Sequence, residues 1–320
     1  VYVDGHLTTA TNATISSLVP KEYNVKLIKE GFIPWEKKVK VNEGLVTDLK
    51  VTLFPAIPTI YPLTFNGVKN ASLSPDGGKV VFSVPAGKKP GVWVWTFVDN
   101  RPIAFARGGQ PHQIAANGTV NYADAILRWS SDSKQVLATV GQNNYLLQDD
   151  TLNSEPKDIT PTLANTTKTW DDDLKQRDEV RLLTIKDLGK RAEASSAAIV
   201  RWSPDETKVL LRKEGLSAKE KDSRAIISGF KVYDLETNQT FDIPEARVQT
   251  WLPDSRHIIL VEDGKISIVD LDGTNKAIIF AGNFEDNFVF AWPDSSRLVV
   301  ISSFPTPTAS EPNLYGINLK

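Results

Sequence analysis

The chain has 320 residues, 41% of them hydrophobic, and its 37 basic side chains nearly match 39 acidic ones. That balance, without a long block of one sign, excludes the basic footprint that holds nucleic acid or an anionic membrane surface. Cysteine is absent, which removes disulfides, thiolate metal sites and a cysteine nucleophile; methionine is absent too. No run of about 18 apolar residues is present, so no spanning helix is expected. Val1 reads as a truncated beginning, and any membrane attachment is expected through an anchor upstream of it.

Residues 1–55 read as a small antiparallel β-sandwich. Val3-Asp4-Gly5 marks a turn, Asn24 to Lys29 and Lys37 to Val41 alternate apolar with polar, and Val46 to Leu53 repeats the alternation. Thr59 to Thr64 then reads as an edge strand, because Pro62 cannot donate to a central ladder.

From residue 56 onward one short pattern recurs: an aromatic or aliphatic residue, a turn containing Asp, then a continuous aliphatic run. Its five copies centre on Asp76, Asp132, Asp205, Asp254 and Asp294, and four of them carry Trp129, Trp202, Trp251 or Trp292 before the turn. Proline with its fixed φ followed by Asp predicts a type I turn at a hairpin corner. Aliphatic runs such as Lys208 to Leu211 predict strands buried on both faces. The Asp residues repeat with a minimum spacing near 40, the length of a unit of four short strands. One such sheet cannot hide two apolar faces alone, so the units are expected to stand face to face around an axis, with the tryptophans packed between neighbours. The last copy ends after its third strand. Thr59 to Thr64 is expected to complete it, giving five units, or six if residues 151–200 conceal a degenerate one.

Those residues look different. Thr169-Trp170-Asp171-Asp172 reads as a capped helix start with an acidic first turn, Leu174, Val180, Leu183 and Leu188 as its apolar side, and Gly189 as its stop. A helical insertion is expected over about 165–195. Asp171, Asp172 and Asp173 lack the spacing of a calcium loop.

The stretch "WSPDETKVLL" at residues 202–211, followed by "KVYDLETNQ", is similar to the repeats of TolB-like (WD40-like) β-propellers. Residues 1–55 resemble a PEGA domain in the Val3 to Gly5 turn, the Tyr23 strand, Gly31-Phe32 with Trp35, and the closing Leu53-Phe54-Pro55. The fold class implied is all-β: a PEGA-type antiparallel sandwich over 1–55 and a five-bladed, alternatively six-bladed, propeller over 56–320 with a helical insertion. The PEGA resemblance also implies a missing first strand, and so an open edge able to accept a strand and support self-assembly. The pairing resembles envelope proteins of uncultivated bacteria, which implies an extracytoplasmic place at the cell envelope or surface, with membrane anchoring.

Catalytic motifs do not emerge. His6, His112 and His257 are far apart, without a metalloprotease spacing, and no nucleophile elbow or phosphate loop occurs. His257 reads as a surface residue of a repeat strand, and His112 as a loop residue able to line a rim. The five recurrent Asp residues read as turn residues, and Trp129, Trp202, Trp251 and Trp292 as core. Trp35, Trp93, Trp95 and Trp170 are freer to face outward, and Trp93, Trp95 and Trp170 stand with His112 as candidate rim contacts. No catalytic residue, cofactor or metal is expected. Five Asn-x-Ser/Thr sequons, at Asn12, Asn70, Asn117, Asn165 and Asn238, carry little weight in a chain rich in these residues.

Two functions stay open. One is a noncatalytic envelope protein whose propeller binds a protein or cell-surface glycan while the N-terminal module acts as a spacer. The other is a carbohydrate-active enzyme, a glycoside hydrolase or lyase on a five-bladed ring, which two axial carboxylates about 5 to 10 Å apart would mark.

Overall fold

The computed structural model describes residues 1–97, 110–212, 229–285, 288–303 and 311–320. Gly108 and Gly109, in the stretch before His112, lie outside them.

The N-terminal domain is built on four antiparallel strands: β1 (Tyr2–Val3), β2 (His6–Leu7), β3 (Glu22–Leu27) and β4 (Trp35–Lys40), in the order β2-β1-β3-β4. Asp4 and Gly5 both have left-handed φ, 47° and 81°, as a two-residue hairpin turn of matching twist requires. The Asp4 carboxylate also accepts the Asn24 N–H at 2.9 Å and binds Lys21 at 2.7 Å, tying the turn to β3. Alternation does the rest. Val3, Tyr23, Val25, Trp35 and Val39 share a buried face, while Glu22, Asn24, Glu36 and Lys38 line the other.

Residues 46–53 form no strand. Val51 and Leu53 lie against the core, but Val46 is 92% exposed. An alternating pattern specifies which side chains face inward; it becomes a strand only where a neighbour offers a hydrogen-bonding edge. Here the segment covers the sheet's face instead of extending its edge.

Among the described residues the remaining strands make five four-stranded sheets. The first holds β6 (Lys69–Leu73), β7 (Lys79–Val84), β8 (Gly91–Thr96) and β9 (His112–Ala116), and the second holds β10 (Ile126–Trp129), β11 (Gln135–Val140), β12 (Asn143–Gln148) and β13 (Lys157–Asp158). The third contains β14 (Val200–Trp202), β15 (Lys208–Arg212), β16 (Phe230–Asp234) and β17 (Thr240–Ile243). The fourth contains β18 (Val248–Trp251), β19 (His257–Glu262), β20 (Lys265–Asp270) and β21 (Ala277–Ala281). In the fifth, β22 (Val289–Ala291), β23 (Arg297–Ser302) and β24 (Asn313–Asn318) are completed by β5 (Ile60–Pro62), with Gly316 opposite Tyr61. Pro62 thus sits on the outer edge. Gly316 has a steric reason, since a Cβ there would lie 2.7 Å from the Tyr61 ring.

All five corners share one geometry. The residue after Asp donates its N–H to the carbonyl three residues back, as in Gly77 to Ser74 at 2.8 Å and Ser295 to Trp292 at 2.8 Å. That residue is left-handed every time: Gly77, Ser133, Glu206, Ser255 and Ser295 have φ of 69°, 60°, 58°, 58° and 55°. The Asp carboxylate then accepts the next N–H, from Gly78, Lys134, Thr207, Arg256 or Ser296, at 2.8–3.1 Å.

Packing follows the alternation within each strand. From β7, Val80, Phe82 and Val84 face Phe290, Trp292 and Val299 of the fifth sheet, whereas Val81 faces Leu127, Trp129 and Val136 of the second. The third sheet's Leu210 and Val232 meet Trp251 and Leu260 of the fourth, whose Ile259 and Ile268 meet Leu298 and Val300 of the fifth. Between the second and third sheets stand two helices, α1 (Leu163–Leu182) and α2 (Leu188–Ser196). Trp170 of α1 packs on Leu137, while Ile185 and Ala194 pack on Val209, Leu211 and Tyr233. The cycle of contacts therefore closes through five sheets and one helical pair.

The helices differ from the expectation in three ways. First, α1 begins at Leu163, because Pro161 in a 3-10 turn over Thr160–Thr162 sets helical φ well before Trp170. Second, Gly189 lies inside α2, whose start is capped by the Asp187 carboxylate accepting the Lys190 N–H at 3.0 Å. Third, Val180, Leu183 and Leu188 are exposed. The break at Leu183–Asp187 resets the helical phase, so residues on either side of it share no face.

Candidate functional site at the junction of the two domains

The four candidate rim residues do not converge. Trp170 and Trp95 are buried, and so is Trp35 in the N-terminal domain, contrary to the expectation of outward-facing rings. Trp170 is the bolt between α1 and the second sheet. Trp95 stacks edge-on against Trp292 with centroids 5.6 Å apart, because its position on β8 faces the fifth sheet. Trp93 is half-buried at the edge of the same cluster and donates Nε1–H to the Lys89 carbonyl at 3.1 Å. His112 lies on strand β9, not in a loop, and its Nε2 is 2.8 Å from the Asp149 carbonyl oxygen. A carbonyl only accepts, so Nε2 carries the proton.

The repeat tryptophans sit between neighbouring elements. Trp129 donates Nε1–H to the Ser72 carbonyl at 2.9 Å, and Trp251 to the Arg201 carbonyl at 2.8 Å, each reaching the preceding sheet's inner strand. Trp202 faces the helices, and its buried Nε1 has no acceptor among the described residues. Where Ser72 or Arg201 presents a strand carbonyl, the helix pair presents side chains.

The concentration of charge lies elsewhere. His257, read above as a surface residue, is 4% exposed. It opens β19 directly after the corner, where the N-terminal domain covers it. Its Nδ1 is 2.6 Å from Asp254 Oδ2 and its Nε2 3.4 Å from Asp270 Oδ1, with the Phe54 ring perpendicular at 5.3 Å. Asp270 also accepts from Trp35 Nε1 at 2.9 Å and Asn275 Nδ2 at 3.0 Å. Lys37 Nζ reaches Asp270 at 3.7 Å and Asp272 at 2.5 Å. The Glu36 N–H donates to Asn275 and the Arg256 guanidinium to the Lys50 carbonyl, both at 3.1 Å. The N-terminal domain is thus held on the fourth sheet through β4 and the Phe54 segment.

Burial pulls the His257 pKa down, but its bonds to Asp254 and Asp270 and their charges outweigh it, and the net shift is upward. Burial likewise pushes Asp254 and Asp270 up, and hydrogen bonds from His257 bring both below the ordinary carboxylate value. The sequence signal for this cluster was weak but present: a titratable His at a position held by Lys79, Gln135, Lys208 and Arg297 in the other repeats.

A second feature is an open cleft of about 870 Å³ in the N-terminal domain, between the buried face of its sheet and segments 9–18 and 42–51. Val3, Ile15, Leu18, Tyr23, Val25 and Val51 give it an apolar floor. Among the described residues no group of three His, Asp or Glu side chains is placed to hold a metal ion, and no helix is long and apolar enough to cross a membrane.

Residues 1–57 match the PEGA domain family. No curated protein matches the chain. Among solved structures, TolB from Acinetobacter baumannii aligns at 14% identity and TM-score 0.28 over 79% of this chain and 55% of its own. A putative TolB from Agrobacterium tumefaciens aligns at 14% identity and TM-score 0.27 over 78% of each chain. An oligogalacturonate lyase from Vibrio parahaemolyticus aligns at 15% identity and TM-score 0.29 over 81% of this chain and 66% of its own. The chain therefore spans about half the length of the first of these, and such distant likenesses carry no argument about activity or partners.

Proposed function

We propose that this is a noncatalytic protein of the bacterial envelope, a binding or assembly scaffold for a protein or glycan, with the N-terminal domain as its envelope-proximal part. The match of residues 1–57 to the PEGA family supports the location. The observation that carries the noncatalytic reading is the use made of the recurrent carboxylates. Asp76, Asp132, Asp205, Asp254 and Asp294 each accept a backbone N–H in their own corner. A glycosidase needs paired carboxylates facing its substrate, one to give a proton and one to attack or activate water. Carboxylates committed to turns are poorly placed for either task.

The test is to measure binding and turnover on the same sugars. Retention on a panel of envelope glycans and acidic oligosaccharides, without release of reducing ends or unsaturated products, is the expected result. Product formation that scales with protein and is abolished by a single carboxylate substitution would overturn the proposal.

A further inference from the structure

We propose that His257 is a proton-controlled latch between the two domains, clamping the N-terminal domain onto the fourth sheet when charged and slackening it when neutral. Both ring nitrogens face carboxylate oxygens, at 2.6 Å and 3.4 Å. A neutral imidazole has one N–H and one lone pair, so only the charged ring donates to both.

The surrounding charges make the proton matter. From the corner come Asp254 and Arg256, from the end of β20 and the turn beyond it Asp270 and Asp272, and from β4 Lys37. Phe54, Trp35 and Asn275 add neutral contacts. With His257 charged, three cations (Lys37, Arg256, His257) face three carboxylates (Asp254, Asp270, Asp272). Loss of the proton leaves one negative charge in excess in a site largely removed from water, and turns a lone pair toward Asp270. Asp270 is also the carboxylate that Trp35 and Lys37 hold. Its displacement acts directly on the domain contact.

The repeat supplies an internal control. In the third sheet the same position is Lys208, which lies opposite Asp234 at the end of the third strand and has its Nζ 3.6 Å from Asp205 of its own corner, as His257 lies opposite Asp270 and beside Asp254. Lysine keeps its charge far above neutral pH, whereas histidine changes charge near pH 6.5, about the only side chain to do so. The titratable version stands in the sheet that carries the other domain.

The sign follows from the directions above. Because the folded state raises the His257 pKa, the contribution is full below the ordinary value of about 6.5 and is lost as pH climbs through the raised one. Asp254 and Asp270 are lowered, so they stay charged until pH falls below the usual carboxylate range. The latch is therefore closed at mildly acidic pH and opens as pH rises through the raised His257 pKa.

The full chain has no cysteine, so Glu22→Cys and Glu155→Cys, both at exposed positions, allow a donor and an acceptor dye to be attached to the two domains. Energy transfer recorded from about pH 5 to about pH 9 should report one narrow distance that broadens as pH rises. The midpoint should coincide with the titration of His257 followed by NMR of labelled histidines. His257→Lys should hold the narrow distance throughout, and His257→Gln should remove the step. A distance unchanged through the His257 titration, or the same step in His257→Lys, would overturn the proposal. Should either variant fail to fold, the unsubstituted His257 protein decides by its own two midpoints.

Discussion

Two junctions built from the same repeat behave differently. Between the third and fourth sheets, strand faces strand, and Trp251 fills the seam with its Nε1–H bonded to Arg201. Between the second and third sheets the equivalent Trp202 meets helices, and its Nε1 has no acceptor among the described residues. The corner motif thus fixes its own hairpin and leaves the partner open. Any element that offers an apolar face of the right height can fill the next place in the ring, at the cost of the hydrogen bond that a strand would have supplied.

Truncation separates the two junctions most strongly. Trp251→Ala removes a buried ring and its hydrogen bond, with an expected loss of about 3–5 kcal/mol in denaturant unfolding. Trp202 is only partly buried, so Trp202→Ala should cost less. Equal losses would mean that the helical junction is packed as tightly as the strand junction. On the helical side the anchor is Ile185, fully buried against Val209, Leu211 and Tyr233. Ile185→Ala should cost about 2–5 kcal/mol and, unlike Trp251→Ala, should lower the helical circular dichroism before the β signal. A single transition in both signals would show that helices and sheets melt as one unit.

Replacing each tryptophan by phenylalanine sharpens the comparison. At Trp251 the change removes the Nε1–H bond to the Arg201 carbonyl, a loss of about 0.5–1.5 kcal/mol beyond the change in volume. At Trp202 there is no bond to lose, and an unsatisfied buried N–H is removed. Trp251→Phe should therefore be the more destabilising substitution by about 1 kcal/mol in paired denaturation curves, and a reversed order would contradict the bonding described here.

Much of this architecture is legible in the residues themselves. The five corners carry their own turn chemistry, so the hairpins, the aliphatic strands and the closing strand at Ile60–Pro62 all follow from local pattern. The tryptophan positions follow from the same repeat. What escapes is tertiary. Trp95 and Trp93 share one face of β8, and only the neighbouring sheet decides that one is sealed and the other is not. Val46 to Leu53 alternates like a strand but has no edge to join. The helix start is hidden because it rests on Pro161 in a 3-10 turn and not on a polar cap, and Leu183 and Leu188 share an apolar face only along an uninterrupted helix. The His257 cluster depends on a domain contact between positions more than 200 residues apart, Trp35 and Asp270, which no local window contains.

The smallest effect belongs to the polar fastening of α1 to the third sheet's corner. Arg181 donates through Nε and Nη2 to Glu206 Oε1, at 2.9 Å and 2.8 Å. Both side chains are more than one third exposed, so solvent screening limits the pair to about 0.2–1 kcal/mol. A double-mutant cycle with Arg181→Gln and Glu206→Gln should recover a coupling of that size, fading as salt is raised. Glutamine is the right replacement because Glu206 holds a left-handed φ of 58°; glycine would relieve backbone strain and mask the lost pair. A salt-insensitive coupling well above this range would mean that the helix is bolted to the corner by charge, not by Ile185 and Trp170, and would change which contacts close the ring.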